Sequence, residues 1–331
     1  MPAVSYSSIS PGVLGWHSAK LLQRAMPYMI LEKFAQVKET LPGNKTKSVI
    51  FSRYAALSNS PVPLTEGVTP AGKTLSKTDI TLTMRQFGDF VEITDQVIDM
   101  HDDPVLKEAQ GMLGEQCGQM LEKDRYNTLK AGTNVYFANG TARAQVNTPV
   151  SPTLIRRCRK GLKRQDAKEI DRALESTTAF NSVSVKPAYI TVGHTDLQTD
   201  LEGLQGWKNI EDYGGALGGL YEGEIGAFSS NRFLLSTLFE PFADAGAAAG
   251  GLFESTTGTN CDVYPLITMG RDAWGCVPLK GSSAITPTIV NPSPAPGDYL
   301  GQRGAVGWKA YHACVILNDA WLARKEVACS K

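Results

Sequence analysis

The sequence predicts an α+β chain in which strands and one long helix precede a mixed α/β region. Three observations predict it. Residues 78–94 alternate apolar and polar side chains over the length of a strand, residues 104–131 read as one long capped helix, and from residue 153 onward short helical and strand patterns interleave. The composition permits a packed core. Of 331 residues, 42% are hydrophobic and 20% charged, ordinary values for a globular chain, and the length corresponds to about two domains. Disordered tails, histone-like basic proteins and collagen or coiled-coil fibres are thereby excluded. Lys+Arg and Asp+Glu each total 33, a formal net charge of zero. Such a chain lacks the self-repulsion that keeps soluble molecules apart, which suits association.

The elements follow in order. Leu21, Leu22, Ala25, Met26, Met29, Ile30, Phe34 and Val37 give Ser18–Val37 a helical spacing that Pro27 interrupts, so two short helices or one kinked helix are expected. This arm is basic: residues 1–60 hold seven Lys/Arg against Glu32 and Glu39, net +5. Strands are expected at Lys47–Tyr54 and Thr78–Thr94. In the second, the apolar face moves from Ile80, Leu82 and Met84 to Phe87, Val91 and Ile93, which predicts a β-bulge beside Gly88. Ala55–Leu75, punctuated by Pro and Gly, is too long for an idle connection and reads as an extended hairpin arm.

Asp102-Asp103-Pro104 opens the long helix, and Gly132 is placed to close it at C′. At 1.5 Å per residue it spans roughly 42 Å. Leu106, Ala109, Leu113, Cys117, Met120 and Asp124 mark one side, and Gly111, Gly114 and Gly118 suggest close approach by another element. Ser151-Pro152 caps a helix over Thr153–Gln165, apolar at Leu154, Ile155, Cys158 and Leu162 and basic at Arg156, Arg157, Arg159, Lys160, Lys163 and Arg164. Beyond it are expected a strand Tyr189–Val192, a helix Thr195–Leu204, a strand Phe228–Thr237, a flexible loop Ala245–Gly251 and a strand Cys261–Met269. A Pro-rich linker, Ser282–Asp298, leads to a strand Gly307–Leu317 that is apolar on both faces. Residues 195–262 carry eleven Asp/Glu against Lys208 and Arg232, net −9.

Few residues carry chemistry. No basic flank and apolar core open the chain, so no secretory leader is expected, and no run approaches the ~18 apolar residues of a membrane helix. Six cysteines without a C-x-x-C read as reduced thiols. Gly67-Val-Thr-Pro-Ala-Gly72-Lys73-Thr74 matches the phosphate-cradling G-x-x-x-x-G-K-[ST] pattern. That loop works only between a strand and a helix, and here a strand pattern follows, so a Gly/Pro-rich loop tip is the better reading. Asp95, Asp99, His101, Asp102 and Asp103 fit no cation-binding loop, and the last two serve as helix caps. His17, His194 and His312 are far apart, without H-E-x-x-H or G-x-S-x-G. Gly214–Gly219 departs from G-x-G-x-x-G in an acidic setting. No catalytic constellation survives, so an enzyme is not expected, nor a cofactor or a metal.

Several blocks carry a resemblance. They are Pro63-Leu-Thr-Glu-Gly-Val-Thr-Pro70, Gln86-Phe-Gly-Asp-Phe90 with Ile93-Thr-Asp95, Leu113-Gly-Glu-Gln116, Ala131-Gly-Thr-Asn134, Gly223-Glu-Ile-Gly226, Gly301-Gln-Arg-Gly-Ala-Val-Gly-Trp308 and Val315-Ile-Leu-Asn318. In this order they resemble tailed-bacteriophage major capsid proteins of the Hong Kong-97-type fold, in the enquatrovirus-type podophage branch. The resemblance implies an N-terminal arm over 1–44, an E-loop hairpin over 45–95, a peripheral domain over 96–184 with its spine helix at 104–131, an axial domain over 185–300, and a C-terminal strand within 301–331 returning to the peripheral domain. Glu169–Ser184 and Ser282–Asp298 are longer than that family's turns. The implied function is a shell subunit that forms pentamers and hexamers of an icosahedral virion capsid, assembled in the bacterial cytoplasm around double-stranded DNA. Implied partners are further copies of itself, a separate scaffolding protein, a portal and a decoration protein, with no membrane. Pro63, Glu66, Gly67, Gly72 and Lys73 would sit at the assembling E-loop tip. Lys20, Arg24, Lys33, Arg156, Arg157, Arg159, Lys160, Lys163 and Arg164 are the candidates for facing DNA. An encapsulin-like nanocompartment shell, or a nucleotide-binding enzyme using Gly67–Thr74, are the alternatives.

Overall fold

A computed structural model describes residues 29–37, 48–55, 57, 60, 63–64, 66–69, 72–96, 105–170, 187–212, 221, 223–277, 285–290, 292–294 and 299–331. A 3-10 turn at Leu31–Phe34 leads to β1 (Gln36–Val37), β2 (Ser48–Tyr54), β3 (Lys77–Thr83) and β4 (Arg85–Thr94). The long helix α1 (Val105–Lys130) comes next, then β5 (Val135–Phe137) and α2 (Pro152–Arg164). The mixed region holds β6 (Tyr189–Gly193), a helix α3 (Gln198–Glu202), β7 (Lys208–Asn209), β8 (Glu224–Phe228), β9 (Asn231–Leu235), β10 (Val263–Met269) and β11 (Trp274–Cys276). The chain finishes through β12 (Ile285–Val290), β13 (Arg303–His312), β14 (Cys314–Ile316) and β15 (Leu322–Ala328).

A seven-stranded sheet, ordered β5-β15-β10-β6-β9-β8-β7, is the centre. Alternation along its strands loads both faces with apolar groups. Ile190, Val192, Leu234, Ile267 and Met269 meet Tyr126 and Leu129 of α1 and the segment Ile30–Phe34. Phe233, Leu235, Leu266 and Val327 meet Leu154 and Ile155 of α2 and Leu197 and Leu201. Ser151 caps α2 by accepting a hydrogen bond from the Leu154 amide at 3.2 Å, with Pro152 in the first turn. The four apolar residues that the spacing assigned to its inner face are its buried residues.

A three-stranded sheet, β12-β13-β4, lies on the N-terminal half of α1. Leu113, Cys117 and Leu121 pack there against Ile93, Val306, Trp308 and Ala310. Gly114 and Gly118 are buried on the helix. The hairpin β2–β3 forms its own two-stranded sheet, and β1-β11-β14 forms a small third layer.

Several expectations need correction. β4 pairs with β13 from Arg85↔His312 to Thr94↔Arg303 without a slip, so no bulge sits beside Gly88. The phase change instead marks Met84, where the chain leaves its pairing with β2 and begins pairing with β13. Gly88 is needed for proximity: a Cβ there would stand 2.7 Å from the Trp308 carbonyl oxygen. Phe228–Thr237 is not one strand, because Ser229 and Ser230 adopt φ of 52° and 58° and turn β8 into β9. The Pro-rich linker contains β12, an edge strand, where Pro287 is tolerated. Gly307–Leu317 belongs to two strands, β13 and β14, in different sheets, and β13 is partly exposed rather than buried on both faces. Gln36–Val37 is a strand, not helix. Gly132 is absent from the positive-φ residues. A Cβ there would meet Leu322 at 2.9 Å, so it serves close packing rather than a left-handed cap. The helix-opening Asp102-Asp103-Pro104, and Lys20 and Arg24, lie outside the described residues.

Candidate assembly surfaces

The hairpin is anchored at its base. Val49 and Phe51 of β2 pack on Val277, with Leu82, Met84, Val315 and Leu317 beside them. Farther out the β2–β3 pair loses cover, and the Ala55 amide donates to the Ser76 carbonyl at 2.9 Å to close the ladder. Apolar side chains continue past that point into water: Tyr54 is 62% exposed, Leu57 52%, Leu64 76% and Leu75 68%. Phe90 and Val91 of β4 add 61% and 43%. An isolated two-stranded ribbon is at best marginally stable in water, and contiguous apolar exposure marks a surface that meets a partner.

Pro63, Glu66, Gly67, Gly72 and Lys73 all lie exposed in the loop joining β2 to β3. Gly67 takes φ +80° in the turn it shares with Glu66. The strand β3, not a helix, follows Thr74, so the geometry that lets a Gly-Lys-Thr loop cradle phosphates is not built here.

The second surface is basic. Arg156, Arg157, Lys160, Lys163 and Arg164 are exposed along α2, and Arg159 is half-buried. All but Arg157 line an open concavity of about 610 Å³ with Ser229. Arg159 is fixed there by donating to the Ser229 carbonyl at 3.0 Å and hydroxyl at 2.8 Å. Arg157 lies over the Tyr136 ring, and Lys163 pairs with Glu169 at 3.2 Å. Lys33 is exposed on the Leu31–Phe34 turn and is not brought to this concavity.

Residue patterns missed a clasp between the amino-terminal segment and α1. Glu122, 0% exposed, accepts from the Ile30 amide at 3.1 Å and the Leu31 amide at 2.8 Å. Buried Arg125 lies 3.4 Å from Glu122 and 2.9 Å from Glu32. The signal for it was two charges at helical spacing on an otherwise apolar stripe. All six cysteines are unpaired, and burial pushes the Cys117 and Cys276 thiols up to about 12.

The exposed hairpin and the basic concavity are the two candidate surfaces, and comparison with known proteins shows the family of the chain that carries them. The family model for phage capsid proteins matches residues 77–324, from the start of β3 into β15. The chain belongs to the phage capsid protein family. The fold of this capsid protein is the expected α+β, Hong Kong-97-like class. It resembles the capsid of Ralstonia phage GP4 at a TM-score of 0.68 and 14% identity, covering 90% of this chain and 88% of that one. It also resembles the capsid of cyanophage Pam1 at 0.63 and 12%, covering 87% and 86%. The head of Helicobacter pylori bacteriophage KHP40 matches at 0.59 and 14%, covering 89% and 87%. A search of curated proteins finds no match. The capsid protein is thus a major shell protein that assembles with copies of itself, located in the virion capsid, and its family is structural rather than enzymatic.

Proposed function

We propose that this capsid protein belongs to the enquatrovirus-type podophage branch and forms the pentamers and hexamers of an icosahedral head around double-stranded DNA. The observation that carries the assembly reading is the exposed apolar run Tyr54, Leu57, Leu64 and Leu75 on a hairpin whose base packs on Val277. In this reading residues 45–95 are the E-loop, laid over a neighbouring subunit with Pro63, Glu66, Gly67, Gly72 and Lys73 at its tip. Residues 1–44 are the arm, 96–184 the peripheral domain, 185–300 the axial domain, and 301–331 return to the peripheral domain. Assembly proceeds in the bacterial cytoplasm with a separate scaffolding protein and a portal, and a decoration protein can complete the lattice. The α2 concavity supports a sequence-independent contact with the DNA phosphates.

The test replaces Tyr54, Leu57, Leu64 and Leu75 together with serine. The expected product is a folded subunit, with unchanged far-UV circular dichroism, that yields no shells by electron microscopy when scaffold is supplied. Shells at the wild-type yield would refute the assembly role of this hairpin. For DNA, Arg156→Gln with Lys160→Gln should leave shells intact and flatten the salt dependence of DNA binding by about 0.9 in log–log slope per lost phosphate contact. An unchanged slope would remove α2 from the DNA face.

A further inference from the structure

His312, the last residue of β13, is 1% exposed, and neither ring nitrogen has a hydrogen-bond partner among the described residues. Buried polar groups almost always find a partner, and an ion is one of the few explanations for an orphan. The surroundings supply the rest of a ligand set. Asp124 Oδ2 of α1 stands 3.5 Å from His312 Nε2, longer than a well-formed hydrogen bond. Cys314 Sγ, at the start of β14, is 3.9 Å from the same oxygen. The ligand atoms of Asp124, His312 and Cys314 all lie within 4.8 Å of one another. A tetrahedral centre with bonds of ~2.0–2.3 Å separates its ligand atoms by roughly 3.3–3.6 Å, so small side-chain rotations close the set. Of the cations near Asp124, Arg125 is paired with Glu32 and Glu122, and Arg85 stands opposite His312 in the β4–β13 register.

We propose that Asp124, His312 and Cys314 form a zinc site that ties β13 and β14 to the C-terminal third of α1, its fourth position taken by water. A thiolate, an imidazole and a carboxylate suit zinc, whereas magnesium and calcium prefer oxygen alone. On binding, the Cys314 S–H bond breaks, its proton goes to solvent and a metal–sulfur bond forms. The imidazole gives a ring-nitrogen lone pair and Asp124 one carboxylate oxygen. The consecutive strands β13 and β14 are thereby joined to a helix some 190 residues away, so metal binding adds directly to folding stability.

The experiment uses the full-length protein, loaded with zinc and dialysed, with metal measured by mass spectrometry. Cobalt(II) is substituted in parallel to report a thiolate charge-transfer band. The wild type and a Cys329→Ser control should retain about one zinc per chain. Cys314→Ser and His312→Gln should weaken binding by more than the ~10–100-fold that altering a ligand's hydrogen-bonding neighbour costs. Cys314→Ser should also abolish the cobalt–thiolate band and the rise in melting temperature that zinc gives the wild type. Folded wild type that retains no zinc, or equal binding by Cys314→Ser, overturns the proposal. Cys314 is only half-buried and serine is conservative, so that variant decides the matter even where His312→Gln fails to fold.

Discussion

Replacing Lys325 with methionine should make the protein more stable. Lys325 occupies the middle of β15, whose seven residues are all buried between β10 and β5. Its side chain is 0% exposed and its Nζ has no hydrogen-bond partner among the described residues, lying 5.7 Å from the Phe233 ring. The nearby Cys158 thiol offers no countercharge, because burial raises its pKa and keeps it protonated. Burying a polar group without a hydrogen bond costs about 1–3 kcal/mol on the protein mutational scale. Methionine keeps the unbranched stem and removes that cost, so Lys325→Met should gain about 1–3 kcal/mol at neutral pH. Burial lowers the Lys325 pKa below its unfolded value of ~10.4. Below the folded value both states hold the proton and the charged group bears the full penalty. Between the two values the unfolded chain binds more protons, so wild-type stability rises with pH toward ~10.4. The methionine advantage is therefore largest in acid and shrinks as pH rises. Urea unfolding of dispersed subunits, followed by circular dichroism and tryptophan fluorescence from pH 5 to 10, measures it as a higher midpoint at unchanged m. A destabilised variant, or a stability difference constant across pH, would refute the reasoning.

Three further outcomes are expected. Glu122→Ala strips the Ile30 and Leu31 amides of their acceptor and leaves buried Arg125 with Glu32, which should cost about 3–5 kcal/mol. Glu122→Gln should cost less, and limited proteolysis should show the amino-terminal segment released first in the alanine variant. Gly88→Ala places a Cβ 2.7 Å from the Trp308 carbonyl, and overpacking of about 1–3 kcal/mol should appear as faster amide exchange along Arg85–Thr94. Ser151→Ala removes the α2 cap and should lower stability by about 1 kcal/mol, while Ser151→Asp should restore it in chemical denaturation.

Periodicity made α1 and α2 legible, because each buries one face against a neighbour and leaves the other in water, while the hairpin strands and much of the mixed region read as short alternating or apolar runs. It failed where that condition lapses. β15 reads LARKEVA, which no apolar alternation betrays, yet it is fully buried, with Arg324 and Glu326 held in ion pairs and Lys325 without a hydrogen-bond partner among the described residues. Arg143 grips both Glu326 oxygens at 2.8 Å, and Arg324 adds a third bond at 2.9 Å. The partner Arg143 lies 183 residues away, so no local window contains the reason. The hairpin surface was visible as a long Pro/Gly-punctuated stretch, whereas the Glu122–Arg125 clasp was hidden for the same reason as β15. Pro265 did not hide β10, which the sequence also indicated: β10 pairs with β15 throughout but with β6 only from Ile267 to Met269, so one side of Pro265 needs no donor.

The zero net charge resolves into two uses of charge that counting along the chain cannot separate. Residues 195–262 total −9, yet much of that charge is turned inward. Asp262 accepts from the Asp244 and Thr256 amides, and Asp244 from the Thr257 amide. Glu224 pairs with Arg232 at 2.6 Å, Tyr264 donates to Asp196, and Asp200 receives the Ser330 amide. Short carboxylates reach backbone N–H groups close to their own Cα and are consumed in holding loops. The long stems of Arg156, Lys160, Lys163 and Arg164 cover apolar surface and carry their charge beyond it to the rim of an open concavity. A chain neutral by composition therefore carries positive charge to an open surface while spending much of its negative charge on itself, an asymmetry that supports the proposed contact with a polyanion.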